Sequence, residues 1–139
     1  MKKLTTFAAA ALALAMTGAG ALAETTLQLG TTVNEQDSFH VAAVKFAELV
    51  DERTNGEYKI EIYPNGTLGG ESDMLDSMST GMLDMGIITS GPFVNFSEMM
   101  GVLDMPYLFA NNEEAYKVLD GEIGRELLDT LEDAGLKGL

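Results

Sequence analysis

The chain has no cysteine and no tryptophan, a single histidine, three prolines, and 8 Lys and Arg against 22 Asp and Glu in 139 residues. Each shortage closes off a class of function. Without cysteine there is no disulfide framework, thiolate nucleophile or thiolate metal site, so an ordinary apolar core has to hold the fold. With His40 as the only histidine and no Gly-x-Ser-x-Gly elbow around Ser72, Ser90 or Ser97, a hydrolytic triad finds no base and no strained nucleophile turn. His40 follows Phe39 in a helical pattern, where packing or capping is the expected role. No Gly-x-x-x-x-Gly-Lys or Gly-x-Gly-x-x-Gly occurs, so neither a phosphate cradle nor a dinucleotide site is expected, and no cofactor. The net charge of −14 repels nucleic acid and anionic lipid, while leaving a local site free to take an anionic solute.

Long hydrophobic runs are also scarce. One stands at the N-terminus, where Lys2 and Lys3 precede an apolar stretch from Phe7 to Met16 and small residues ending Ala21-Leu22-Ala23. That is a positive region, a hydrophobic region and an A-x-A cleavage site, so residues 1–23 are expected to be a secretory signal cut before Glu24. The run is rich in Ala, broken at Thr17-Gly18, and short of the roughly 20 apolar residues a membrane span needs. The mature product, residues 24–139, is therefore expected to be soluble in the periplasm, with no membrane insertion after cleavage. The leader takes two lysines and no acid with it, which leaves the product more acidic still.

What remains has a clear order. Leu27-Gln28-Leu29-Gly30-Thr31 alternates apolar and polar, as a strand does. Asp37 or Ser38 is expected to cap a helix whose Phe39, Ala43, Phe46, Ala47 and Val50 share one face, with Lys45, Glu48 and Glu52 opposite. Gly56 ends it. Tyr58, Ile60 and Ile62 mark a second strand, stopped by Pro64-Asn65-Gly66. A short helix with Met74, Leu75 and Met78 follows and ends at Gly81. Leu83 to Thr89 reads as a third strand, apolar enough for the middle of the sheet. This β-α-β-α-β series implies parallel strands with right-handed crossovers. Beyond Pro92, Val102 to Phe109 is expected to be an edge or crossing strand interrupted by Pro106. Asn111 or Asn112 then caps a helix carrying Glu113 and Glu114 in its first turn. A last helix sets Ile123, Leu127 and Leu131 on one face and stops at Gly135.

In an open α/β sheet, ligands bind beyond the carboxyl ends of the strands. Three such loops can be named: the one after Gly30-Thr31-Thr32, the one from Pro64 to Glu71, and Thr89-Ser90-Gly91-Pro92. They offer hydroxyls, free N–H groups and a carboxylate at the margin of an apolar sheet, which suits a small-ligand cleft. Two metal readings compete with this one. Met74, Met78, Met82 and Met85 recur at nearly helical spacing with Met99 and Met100 nearby, and soft thioethers suit Cu(I). The same stripe falls on the expected core face, where methionine is a common gap-filler, and packing is the preferred reading. Glu71, Asp73 and Asp76 lack the spacing of a calcium loop.

The ordered series Tyr63-Pro64-Asn65-Gly66-Thr67-Leu68-Gly69-Gly70-Glu71, Gly81-Met82-Leu83-Asp84-Met85-Gly86 and Ser90-Gly91-Pro92 resembles the N-terminal lobe of the solute-binding subunit of tripartite ATP-independent periplasmic (TRAP) transporters, from about Leu27 to Leu139. The resemblance implies an α/β lobe of periplasmic-binding-protein type, a mostly parallel central sheet flanked by helices, with the second lobe absent from this chain. It implies capture of a small organic acid for a membrane permease, without catalysis. By position it assigns solute contacts to Thr32, Glu71, Thr89 and Ser90, and an apolar wall to Phe93, which core packing could equally claim. It further implies a carboxylate-binding arginine in the second lobe, a place that neither Arg53 nor Arg125 occupies. The alternatives are a fragment of such a protein without useful affinity and a methionine-rich periplasmic metal carrier.

Overall fold

The computed structural model describes residues 24–139; the expected leader, 1–23, lies outside the described residues. Five elements alternate along the first part: β1 (Thr25–Thr31), α1 (Ser38–Arg53), β2 (Tyr58–Tyr63), α2 (Glu71–Ser79) and β3 (Met85–Ile87). The strands form one parallel sheet in the order β2-β1-β3, with Leu29 opposite both Ile62 and Met85. The α/β class and parallel pairing are as the periodicity implies. The central strand, however, is β1 and not the third. Both β2 and β3 pair with β1, and at the start of β3 the Asp84 carboxylate accepts the Gln28 N–H at 2.8 Å, a donor that a longer β3 would have paired. The third strand is thus confined to three residues at the sheet's edge.

Caps set the helix boundaries. Asp37 Oδ1 accepts the Phe39 N–H at 2.8 Å and starts α1. The Asp73 carboxylate accepts the Gly70 N–H at 2.9 Å and steadies the entry to α2. Gly81, at φ +74°, takes the left-handed conformation that follows the α2 cap. On the opposite side of α1, Lys45 and Glu48 pair in the open.

The second part is built differently. Gly91–Asn95 and Glu98–Asp104 are 3-10 turns, followed by α3 (Asn112–Leu119), α4 (Glu122–Asp129) and a last 3-10 turn, Glu132–Ala134, closed by Gly135 at φ +77°. The expected strand over Val102–Phe109 is not formed. Winding Glu98–Asp104 as 3-10 turns carries Met100 into the core, and extended Met105 followed by Pro106 stops any continuation. Asn111 caps α3 by accepting the Glu114 N–H at 2.9 Å. The last helix stops at Asp129, short of the expected Gly135; its Leu127 is buried, as is Leu131 just beyond it, whereas Ile123, expected beside them, is more than half exposed.

One core cluster joins the two parts: Leu75 of α2 packs with Met100, Leu127, Leu131 and Leu136. Alongside this cluster the cover is open. Of the apolar face expected on α1, Ala43 is buried, while Phe39 and Phe46 remain exposed. Ala42, Ala43 and Phe46 border a cleft of about 670 Å³ that runs over Leu29 and β3 to the Gly135–Leu139 segment. Among the described residues, no helix is long and apolar enough to cross a membrane.

Candidate functional site

The three strand-end loops are tied into one rim. After β1, Asn65 donates its N–H to the Val33 carbonyl at 2.9 Å and Gly66 to the Thr31 carbonyl at 3.0 Å, so the second loop is bonded to the first. Asn65 and Gly66 can reach back because both adopt positive φ (59° and 66°), a conformation Asn and Gly tolerate best. Thr32 is held exposed at this junction.

Glu71, the first residue of α2, joins the second loop to the third. Its Oε2 accepts the Thr89 hydroxyl at 2.6 Å and its Oε1 accepts the Thr89 N–H at 3.2 Å. A carboxylate at a helix N-terminus also sits at the favourable end of the helix dipole. Ser90 in turn donates its hydroxyl to Asp104 Oδ1 at 2.8 Å. Glu71, Thr89 and Ser90 are therefore brought together, with Thr32 on the adjoining loop.

Phe93 is placed elsewhere. It packs against the core cluster of Leu75 and Leu131 and faces the 670 Å³ cleft, which none of Thr32, Glu71, Thr89 and Ser90 lines. The large apolar cleft and the polar rim are thus separate features. Asp104 is the rim residue that periodicity and motif reading pass over. A lone acid inside the apolar stretch Val102–Phe109 is the signal that marks it.

The charge of the rim has one sign. Residues 32–37, 64–71 and 89–91 contain Glu35, Asp37 and Glu71 but no Lys, Arg or His. Arg53 is exposed in the last turn of α1 and Arg125 is exposed in α4. At the strand margin, Gln28 Nε2 donates to the Tyr63 hydroxyl at 3.4 Å; the phenol's pKa is raised, chiefly by its hydrogen bond to Glu61.

The methionines scatter. Met74 is fully buried under Gly30 and Met78 packs on the core cluster, whereas Met82 and Met99 are largely exposed. That division is the one packing dictates. Among the described residues no group of three or more His, Asp or Glu could hold a metal ion.

Comparison with known proteins places this geometry. The family model for bacterial extracellular solute-binding proteins, family 7 (DctP), matches residues 29–139. The 2,3-diketo-L-gulonate-binding periplasmic protein YiaO of Escherichia coli is 40% identical over 126 residues, which cover 91% of this chain and 38% of that protein. A TRAP periplasmic solute-binding protein from Polaromonas sp., solved bound to D-erythronate, superposes with a TM-score of 0.80 at 36% identity, covering 83% of this chain and 38% of the other. One from Haemophilus influenzae, solved with bound L-gulonate, gives 0.77 at 32% identity, covering 81% of this chain and 37% of the other. The chain thus spans less than two fifths of the length of these relatives. With a family match over most of its length and the parallel sheet of these solved structures, the chain belongs to the bacterial extracellular solute-binding proteins of family 7.

Proposed function

We propose that residues 24–139 form the first lobe of a TRAP-type solute-binding protein that takes a small hydroxylated organic acid in the periplasm and passes it to a membrane permease. Residues 1–23 serve as its cleavable export signal. Thr32, Glu71, Thr89 and Ser90 contact the solute from this side, and Phe93 backs the third loop from the core. On this reading no bond is made or broken: the rim's hydroxyls and carboxylates serve to bind. The observation that carries the reading is the bonding of Glu71 to Thr89, which fixes the second and third strand-end loops as one polar surface. Relatives solved with D-erythronate and L-gulonate support a sugar acid as the solute class.

A single rim surrounds only one side of a ligand, so affinity for the chain alone is expected in the millimolar range, on the order of 4 kcal/mol. Amide NMR shifts of the chain titrated with D-erythronate and L-gulonate test this. Thr32, Thr89 and Ser90 should move together, and Glu71→Ala should weaken binding by up to about a hundredfold. No shift at tens of millimolar, or an unchanged affinity in Glu71→Ala, refutes the assignment.

A further inference from the structure

We infer that Glu71 and Asp104 are positioning residues that fix the hydrogen-bond polarity of Thr89 and Ser90, so that these hydroxyls accept from the solute and do not donate to it. A hydroxyl has one proton and two lone pairs, and a carboxylate only accepts. Thr89 gives its proton to Glu71 Oε2 at 2.6 Å, and its N–H is taken by Oε1 of the same group. Ser90 gives its proton to Asp104 Oδ1 at 2.8 Å. Charge-assisted bonds of this length are the stronger kind, so a neutral solute group does not readily displace them. What the two hydroxyls have left to offer is lone pairs. Glu71 and Asp104 offer the same. The side chains of residues 71, 89, 90 and 104 thus form a set of acceptors.

The consequence is directional. A solute carboxylate brings no proton and meets like charge, and the rim loops hold no cation to receive it. A polyol end brings one O–H donor per carbon and matches the acceptors. The proposal rests on the solute-binding reading for what approaches the rim, though the orientation of the hydroxyls does not depend on it. It specifies that a hydroxy acid enters with its hydroxyl chain against Thr89 and Ser90 and its carboxylate pointing away. Dicarboxylates without hydroxyls are disfavoured by the same surface.

The test uses the full chain without ligand first. At low temperature the hydroxyl protons of Thr89 and Ser90 should be visible by NMR through slow exchange. Asp104→Ala should abolish the Ser90 signal and leave that of Thr89, whereas Asp104→Asn, which keeps an acceptor oxygen, should retain both. Free exchange of both protons in the unaltered chain, or a Ser90 signal that survives Asp104→Ala, overturns the proposal. In a second arm, D-erythronate should shift the Thr89 and Ser90 amides more strongly than succinate. Asp104→Ala should narrow that preference by about 3- to 10-fold, the worth of one reoriented hydrogen bond. A purely structural role would instead weaken both acids alike, and equal response to the two acids in the unaltered chain counts against the proposal. Protected hydroxyl protons with neither acid bound would refute the solute-binding reading while leaving the orientation established.

Discussion

The two parts of the molecule obtain their order from different ranges of the chain. Between Thr25 and Ile87, strands and helices alternate, and caps such as Asp37 lie next to the elements they start. Between Gly91 and Ala134, 3-10 turns and helices of eight residues predominate, and four of the five residues of the joint core cluster come from residues 100–136. The first part is organised by period and ladder. The second is organised by what it leans on, which is Leu75 of α2. A segment too short to be helical alone becomes regular once an apolar neighbour is in place.

The sharpest way to break this contrast is to remove the shared anchor. Leu75 is fully buried, and Leu75→Ala should cost roughly 2–5 kcal/mol. Denaturant unfolding followed by far-UV circular dichroism should show both parts melting in one transition at lower denaturant. Met82→Ala, at a site 73% exposed, should stay within about 0.5 kcal/mol. If Leu75→Ala behaves like Met82→Ala, the second part does not depend on α2.

Two glycines sharpen the contrast further. A Cβ at Gly124 in α4 would lie 1.8 Å from the Leu119 carbonyl oxygen, which is backbone and cannot step aside without moving α3. A Cβ at Gly30 in β1 would lie 2.6 Å from Met74 Sδ, the far part of a flexible side chain. Gly30→Ala should therefore cost about 1–3 kcal/mol, and Gly124→Ala more, because overpacking against backbone has no rotamer escape. Thermal melts of the two variants rank them. The reverse order would mean that the α3–α4 junction is the more yielding place.

The smallest effect concerns the sheet's open edge. Glu24 lies 2.5 Å from Lys59 Nζ and raises the lysine's pKa, first by hydrogen bonding and then by charge. Because the folded value lies above the unfolded one, the pair's contribution is complete below the ordinary lysine range and disappears as pH rises through the folded value. Both groups are exposed, so Lys59→Met should lower the melting temperature by no more than a few degrees at neutral pH. That difference should vanish once the pH has passed the raised lysine value. A difference that persists there would point to packing of the lysine stem.

Legibility in the sequence follows the same division. Asp37 and Asn111 as caps, Gly81 as a stop, and the parallel β-α-β-α-β order can be read because each depends on neighbours a few residues away. The central place of β1 cannot, since it depends on which distant strands pair with it, and the shortness of β3 involves Asp84 reaching a backbone donor 56 residues distant. The winding of Glu98–Asp104 escapes pattern reading because Pro106 and apolar content suit an edge strand equally well, and burial of Met100 decides it. Phe39 and Phe46 are exposed, and Phe46 borders an open cleft, a matter of what covers a helix rather than of its own sequence. In the candidate site, Thr32, Glu71, Thr89 and Ser90 follow from the strand-end rule together with family resemblance. Asp104 does not, because its bond to Ser90 spans 14 residues of irregular chain.

The bonds from Asn65 and Gly66 back to Val33 and Thr31 also bear on motion. Fixing a loop residue costs about 1–2 kcal/mol of conformational entropy, and here that loss is incurred when the chain folds. These two loops are tied together before anything binds. On the proposed function, capture would not have to order them, and selectivity on this side would be that of a template rather than of a surface that adapts.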